Sequence, residues 1–96
     1  DHDVLLTPTL AAPPLPLGMM DMSGDDWPIH VGAMLDQIPF TPLFNATGAP
    51  AASVPLGRCL DDLPVGVQIG AAFGGEATLM RLARAFEEAA PWHDRI

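Results

Sequence analysis

LPVGVQIGAAFGGEATLMRLARAFEEAAPW, residues 63–92, changes its hydrophobic period halfway along. In the first half Val65, Val67 and Ile69 fall on one face of an extended strand, and Gly66, Gln68 and Gly70 on the other. A strand face made of glycine offers little side chain to pack, which predicts a neighbour lying very close to it. In the second half Leu79, Leu82, Ala83, Phe86 and Ala90 recur at helical spacing and predict an amphipathic helix over 76–90. Arg84 and Glu88 stand four apart on its other side, where opposite charges attract. Gly75 is the N-terminal cap this reading allows, weaker than Asp or Ser by a few tenths of a kcal/mol, and Pro91 ends the helix. A strand running into a long helix puts the chain in the α/β class.

Working back from this block, 52–56 reads as a second strand, joined to the first by a polar loop over 57–64. Asn45-Ala46-Thr47-Gly48-Ala49-Pro50 reads as a turn, with Gly48 free to take a left-handed conformation. Val31, Met34, Leu35 and Ile38 predict a helix over 30–38, with Pro28 near its start and Pro39 breaking it. A second short helix is expected over 40–46. At the N-terminal end, Val4-Leu5-Leu6 is an unbroken apolar run closed by Thr7-Pro8. Such a run predicts a strand buried on both faces, and this chain has few elements to cover both. Between them Pro8, Pro13, Pro14, Pro16 and Pro28 exclude a regular helix or inner strand. An irregular connection of about 20 residues is unusual in a compact domain.

Length and charge narrow the function classes. The chain has 96 residues, one segment without internal repeats, with 11 prolines and 9 glycines. Twelve acids oppose four basic residues, all arginine, for a net charge of −8. An acidic surface is repelled by phosphate backbones and anionic lipid, so neither a nucleic-acid nor a membrane partner is expected. No apolar run approaches the roughly 20 residues of a membrane span. Cys59 stands alone, which precludes an internal disulfide and fits a reducing, cytoplasmic setting. The charged opening Asp1-His2-Asp3 and the missing initiator methionine predict a cut or processed start without a secretory leader.

Catalytic constellations are missing. Ser53 has no nucleophile elbow around it, Ser23 lies in the proline-rich loop, and the absence of lysine excludes a Ser–Lys pair within the chain. His2, His30, His93 and Cys59 have no zinc-type spacing, and the pairs Asp25-Asp26 and Asp61-Asp62 read as solvated loop charges, so neither metal nor cofactor is expected. Arg58 before Cys59 favours a thiolate, but Asp61 and Asp62 oppose it. Asn45-Ala46-Thr47 matches the glycosylation triplet and is read as part of the turn. Pro13-Pro14-Leu15-Pro16 has the composition of a polyproline II ligand, or of an extended loop lying on its own protein.

Three blocks in order carry a family resemblance: DVLLTPT, then PFTPLFNATGAPAASVPLG, then the opening block. Together, over residues 3–92, they resemble the C-terminal part of amidase-signature hydrolases, in particular bacterial amidases related to 6-aminohexanoate-cyclic-dimer hydrolase. The resemblance implies a C-terminal fragment of a mixed-sheet α/β fold. About three strands, one long C-terminal helix and one or two short helices would fall in residues 1–96. It implies cleavage of carboxamides by a Ser–cis-Ser–Lys triad with a backbone oxyanion site, all of it in an upstream catalytic portion absent here. It also places Phe40, Thr41, Phe44 and Asn45 where relatives line or abut the acyl pocket, with Thr7 and Thr9 leading into a variable loop nearby. Phe40 and Phe44 read equally as core. Two departures stand out. Gly75 replaces an Asp that relatives often carry, and Asp36 is out of register with the acid that amidotransferase A-subunits place before the N-x-x-G-x-P turn.

The expectation is therefore a scaffold and pocket-wall segment of an amidase acting on a small-molecule amide, inactive alone. Its partner would be the missing catalytic portion or, since uncovered strands associate, another copy of itself. The competing readings are an amidotransferase A-subunit segment and a stand-alone acidic module that presents its proline-rich loop.

Overall fold

The structure is a computed structural model that describes residues 2–21, 23–59 and 61–95. Its elements are strand β1 (Val4–Pro8), helix α1 (Trp27–Gln37), helix α2 (Pro42–Thr47), strand β2 (Ala51–Arg58), strand β3 (Pro64–Ala71) and helix α3 (Glu76–Ala89), with a short 3-10 turn at His93–Arg95. The strands form a sheet in the order β1-β3-β2, both pairings antiparallel. The α/β expectation holds, with three strands, one long helix and two shorter ones.

β3 sits in the middle of the sheet, and its residues 68–70 are buried. Ile69 is fully buried, with Val54 of β2 and Leu79 of α3 beside it in burial, and α3 packs on both β2 and β3. The α3 stripe is as expected: Leu82, Ala83 and Phe86 are half-buried behind Leu79. Gly75 caps α3 without a side-chain bond, and Arg84 pairs with Glu88 at 2.8 Å in full solvent.

The helix boundaries shift for reasons that lie with proline. α1 begins at Trp27, so Pro28 lies in its first turn, where the lost N–H has no intrahelical partner to miss. It ends at Gln37 because Ile38 precedes Pro39, and a residue before proline avoids helical torsions. Leu35, expected on the buried stripe, is exposed. α2 starts at Pro42 rather than Phe40, again with proline in the first turn, and runs through Thr47. The turn read over 45–50 is thus shortened to its second half: Gly48 takes the left-handed conformation (φ 72°) and its N–H bonds to the Phe44 carbonyl at 2.9 Å.

β1 is the main departure. It was expected to be covered on both faces, yet it is an outer strand, and Leu5 and Leu6 are 47% and 58% exposed. The proline-rich connection is held down without regular structure. Gln37, buried, donates from Nε2 to the carbonyls of Ala12 (2.9 Å) and Pro13 (3.0 Å), and its own carbonyl accepts the Ala11 N–H at 2.9 Å. Residues 11–13 are thus tied to the C-terminal end of α1, while Pro13, Pro14 and Pro16 stay exposed.

The molecule is thin, 45 × 33 × 19 Å, with a radius of gyration of 15.4 Å. A compact domain of this length would have about 12.5 Å. Only Val54, Ile69 and Leu79 are buried hydrophobics among the described residues. No described helix is long and apolar enough to cross a membrane.

Candidate functional site

The site is built on the face of β3 that carries Gly66, Gln68 and Gly70. In the antiparallel register Thr7 and Ser53 stand opposite Gln68 from the two sides, and Leu5 and Ala51 stand opposite Gly70. Opposed residues share a face, so hydroxyls gather around Gln68 and Gly66 while apolar groups gather around Gly70.

At Gly66, Thr9 Oγ1 and Ser53 Oγ are hydrogen-bonded at 2.6 Å, across the space a side chain would fill. At Gln68, the buried amide donates from Nε2 to Thr7 Oγ1 (3.0 Å) and to the Phe40 carbonyl (3.3 Å). At Gly70, the Phe44 ring lies close against the backbone: a Cβ there would collide with Cε1 and Cζ of the ring. The close neighbour that the glycine face predicts is therefore Phe44, with the Thr9–Ser53 pair beside it.

Phe44 also borders an open groove of about 610 Å³, walled by Leu5, Leu43, Thr47, Ala49 and Gly70, with His2 and Asp3 at its rim. The wall is mainly apolar, which suits a hydrocarbon or acyl group better than a charged one. Of the six residues singled out from the sequence, Phe44 alone lines this groove. Thr7 and Phe40 are joined through Gln68, and Thr9 through Ser53. Thr41 is the N-cap of α2, where its carbonyl accepts the Phe44 N–H at 3.2 Å, and Asn45 is exposed on α2 and does not line the groove. Gln68 and Ser53 are the participants sequence reasoning passed over. The usable signal was an amide between two glycines on a strand, where only a hydrogen-bonding role explains it.

Titratable chemistry is sparse. No group of three His, Cys, Asp or Glu that could hold a metal occurs among the described residues. Asp21 has its carboxyl held below the usual value of 3.8, first by the Ser23 hydroxyl at 2.6 Å, then by the Ser23 N–H, with His30 adding a smaller effect. His30 is itself tied through Nδ1 to the Met19 carbonyl at 2.6 Å. Asp62, expected to be merely solvated, pairs with Arg58 at 2.9 Å.

A polar row leading to an apolar groove resembles one side of a cleft more than a complete active centre. Comparison with known proteins decides the family: the amidase family model matches residues 1–80. The chain belongs to the amidase family. Its relatives include the protein described as "Putative amidase AmiC" of Mycobacterium leprae, 43% identical over 91 residues that make up 95% of this chain and 19% of that one. The 6-aminohexanoate-cyclic-dimer hydrolase of Paenarthrobacter ureafaciens is 37% identical over 95 residues, 94% of this chain and 19% of the hydrolase. A solved structure of 6-aminohexanoate cyclic dimer hydrolase superposes with a TM-score of 0.81 at 37% identity, over 94% of this chain and 20% of that one. This amidase chain thus spans about a fifth of the length of the relatives it matches.

Proposed function

We propose that residues 1–96 form the C-terminal scaffold and acyl-pocket wall of an amidase. The complete enzyme hydrolyses small carboxamides to a carboxylate and an amine or ammonia. The nucleophilic serine, the bridging cis-serine and the lysine would come from a preceding part of the chain. Lysine draws a proton through the bridging serine as the nucleophile attacks the amide carbonyl. Backbone N–H groups hold the resulting oxyanion, the amine leaves with a proton, and water releases the acyl group.

The observation that carries this reading is the Phe44 ring seated on Gly70 at the edge of an apolar groove. That arrangement suits holding an acyl chain, and the chain itself lacks the lysine that the triad needs. Gln68 fixes β1 to the segment leading into α2, which keeps the groove wall in place. The relatives described as amidases and hydrolases support an amide substrate in a bacterial enzyme.

Two measurements test the reading. Purified residues 1–96 should not turn over an aryl amide such as a p-nitroanilide above the buffer rate. Added to the P. ureafaciens hydrolase lacking the fifth that aligns with them, they should restore amide hydrolysis. Turnover by the 96 residues alone, or no restoration, would overturn the assignment.

A further inference from the structure

A second groove shares no lining residue with the one beside Phe44. The connection between β1 and α1 is fastened to α1 at two places. His30 Nδ1 bonds to the Met19 carbonyl at 2.6 Å, and Gln37 Nε2 donates to the carbonyls of Ala12 and Pro13. His30 and Gln37 stand two turns apart on the helix, about 10 Å along its axis. Between the connection and the helix lies an open groove of about 590 Å³. Leu10, Leu15, Leu17, Met20, Met34 and Ile38 give it an apolar wall, on which Leu17 is fully exposed.

Asp21 is the one charged residue lining this groove among the described residues. Two consecutive turns bring it there, closed by Met19 N–H on the Pro16 carbonyl (3.3 Å) and Asp21 N–H on the Gly18 carbonyl (3.2 Å). The Ser23 N–H (2.9 Å) and the Ser23 hydroxyl (2.6 Å) both bond to Oδ1. Both donors favour the ionised carboxyl. Oδ2 keeps no protein partner among the described residues, so a negative oxygen stands unused at an apolar groove.

This combination selects a ligand with a hydrocarbon chain and a cationic head. A chain with a net charge of −8 adds a general attraction for cations. Amide hydrolysis makes such a ligand. A primary alkylamine titrates near the lysine value of about 10.4 and is a cation at neutral pH. Before cleavage the same nitrogen is an uncharged amide, so the carboxylate favours the product over the substrate.

We propose that this groove binds the amine product of the amidase, an unbranched primary alkylammonium ion. Its chain lies on the apolar wall and its head meets Asp21 Oδ2. The proposal rests on the reading of the chain as part of an amide hydrolase.

The test titrates hexylammonium into labelled residues 1–96, with N-hexylacetamide as the uncharged comparison. NMR follows the Met20 and Met34 methyls and the Asp21 and Ser23 amides. Hexylammonium should bind about three- to fivefold tighter than the amide at low salt. The difference should largely disappear in about 0.5 M NaCl. Affinity should rise about two- to fourfold for each CH₂ added from butylammonium to octylammonium. Asp21→Asn keeps an oxygen for Ser23 and should remove the preference for the charged head while the amide binds as before. Equal binding of ammonium and amide, shifts only around Phe44, or no shift at all overturns the proposal. So does self-association of residues 1–96 that covers Leu17 and Met20 and excludes hexylammonium, which would assign the groove to a second copy. Turnover in the mixture with the truncated P. ureafaciens hydrolase separates the two claims. Hexylammonium should slow amide hydrolysis there, about three- to fivefold less effectively with Asp21→Asn. Binding without turnover keeps the alkylammonium site and sinks the amidase assignment. Restored turnover that hexylammonium does not slow keeps the assignment and overturns the product site.

Discussion

Replacing Gly70 by alanine tests whether Phe44 truly rests on the β3 backbone. A Cβ at position 70 would occupy the same space as Cε1 and Cζ of the ring, on a strand whose residues 68–70 are buried. The backbone of a central strand cannot retreat, since β1 and β2 hold it on both sides, so the ring must move. Overpacking of this kind costs about 1–3 kcal/mol. In a chain of this length that lowers Tm by roughly 4–8 °C per kcal/mol. The informative measurement is a double-mutant cycle with Phe44→Ala, read by urea unfolding. Phe44→Ala costs stability by itself, but it empties the space the new methyl needs. Gly70→Ala should then be nearly neutral in the Phe44→Ala background, giving a coupling energy of about 1–3 kcal/mol. If the two losses simply add, the ring does not lie on Gly70 and the groove wall has been misassigned.

Three other outcomes are expected. Gly48→Ala forces a Cβ onto a residue at φ 72° and should cost about 1–2 kcal/mol by urea unfolding, with helix α2 fraying first. Gln37→Ala leaves the Ala12 and Pro13 carbonyls without their buried donor. A loss of about 1–3 kcal/mol and faster exchange at the Ala11 amide should follow. Ser23→Ala should raise the Asp21 pKa toward 3.8 in an NMR titration. The Asp21 pKa is depressed in the fold, so its contribution is present above the unfolded value near 3.8 and fades as pH falls through the folded value. The variant should therefore lose less stability than the parent on acidification in that range.

The sequence showed the β3–α3 block most clearly because two different periods meet there without interruption. The glycine face foretold a close contact but not its source: Phe44 is 26 positions upstream, and nothing in a local pattern says which aromatic will fold back. The helix starts were misplaced by two or three residues, because α1 and α2 begin so that Pro28 and Pro42 fall in the first turn, a register the apolar spacing alone does not set. Val4-Leu5-Leu6 was read correctly as an apolar strand, and its exposure follows from what surrounds it, which its own residues do not encode. Of the candidate site, Phe44, Thr7, Thr9 and Phe40 fall on or beside one sheet face, whereas Asn45 stands apart. Gln68 was read only as part of the glycine face, because nothing local says which hydroxyl and carbonyl its amide will meet.

The placement of β1 beside β3 also orders events in time. Thr7 and Gln68 are 61 residues apart in sequence, while β2 and β3 are joined by a short loop between Arg58 and Pro64. Closing the longer span costs roughly 2 kcal/mol more chain entropy than closing the shorter one. A ribosome would release β1 before β3, so within residues 1–96 that strand must wait until β3 has emerged before its partner is available. The β2–β3 hairpin with α3 is the part able to assemble quickly from local contacts. β1 joins afterwards and carries the whole proline-rich connection into place as it docks.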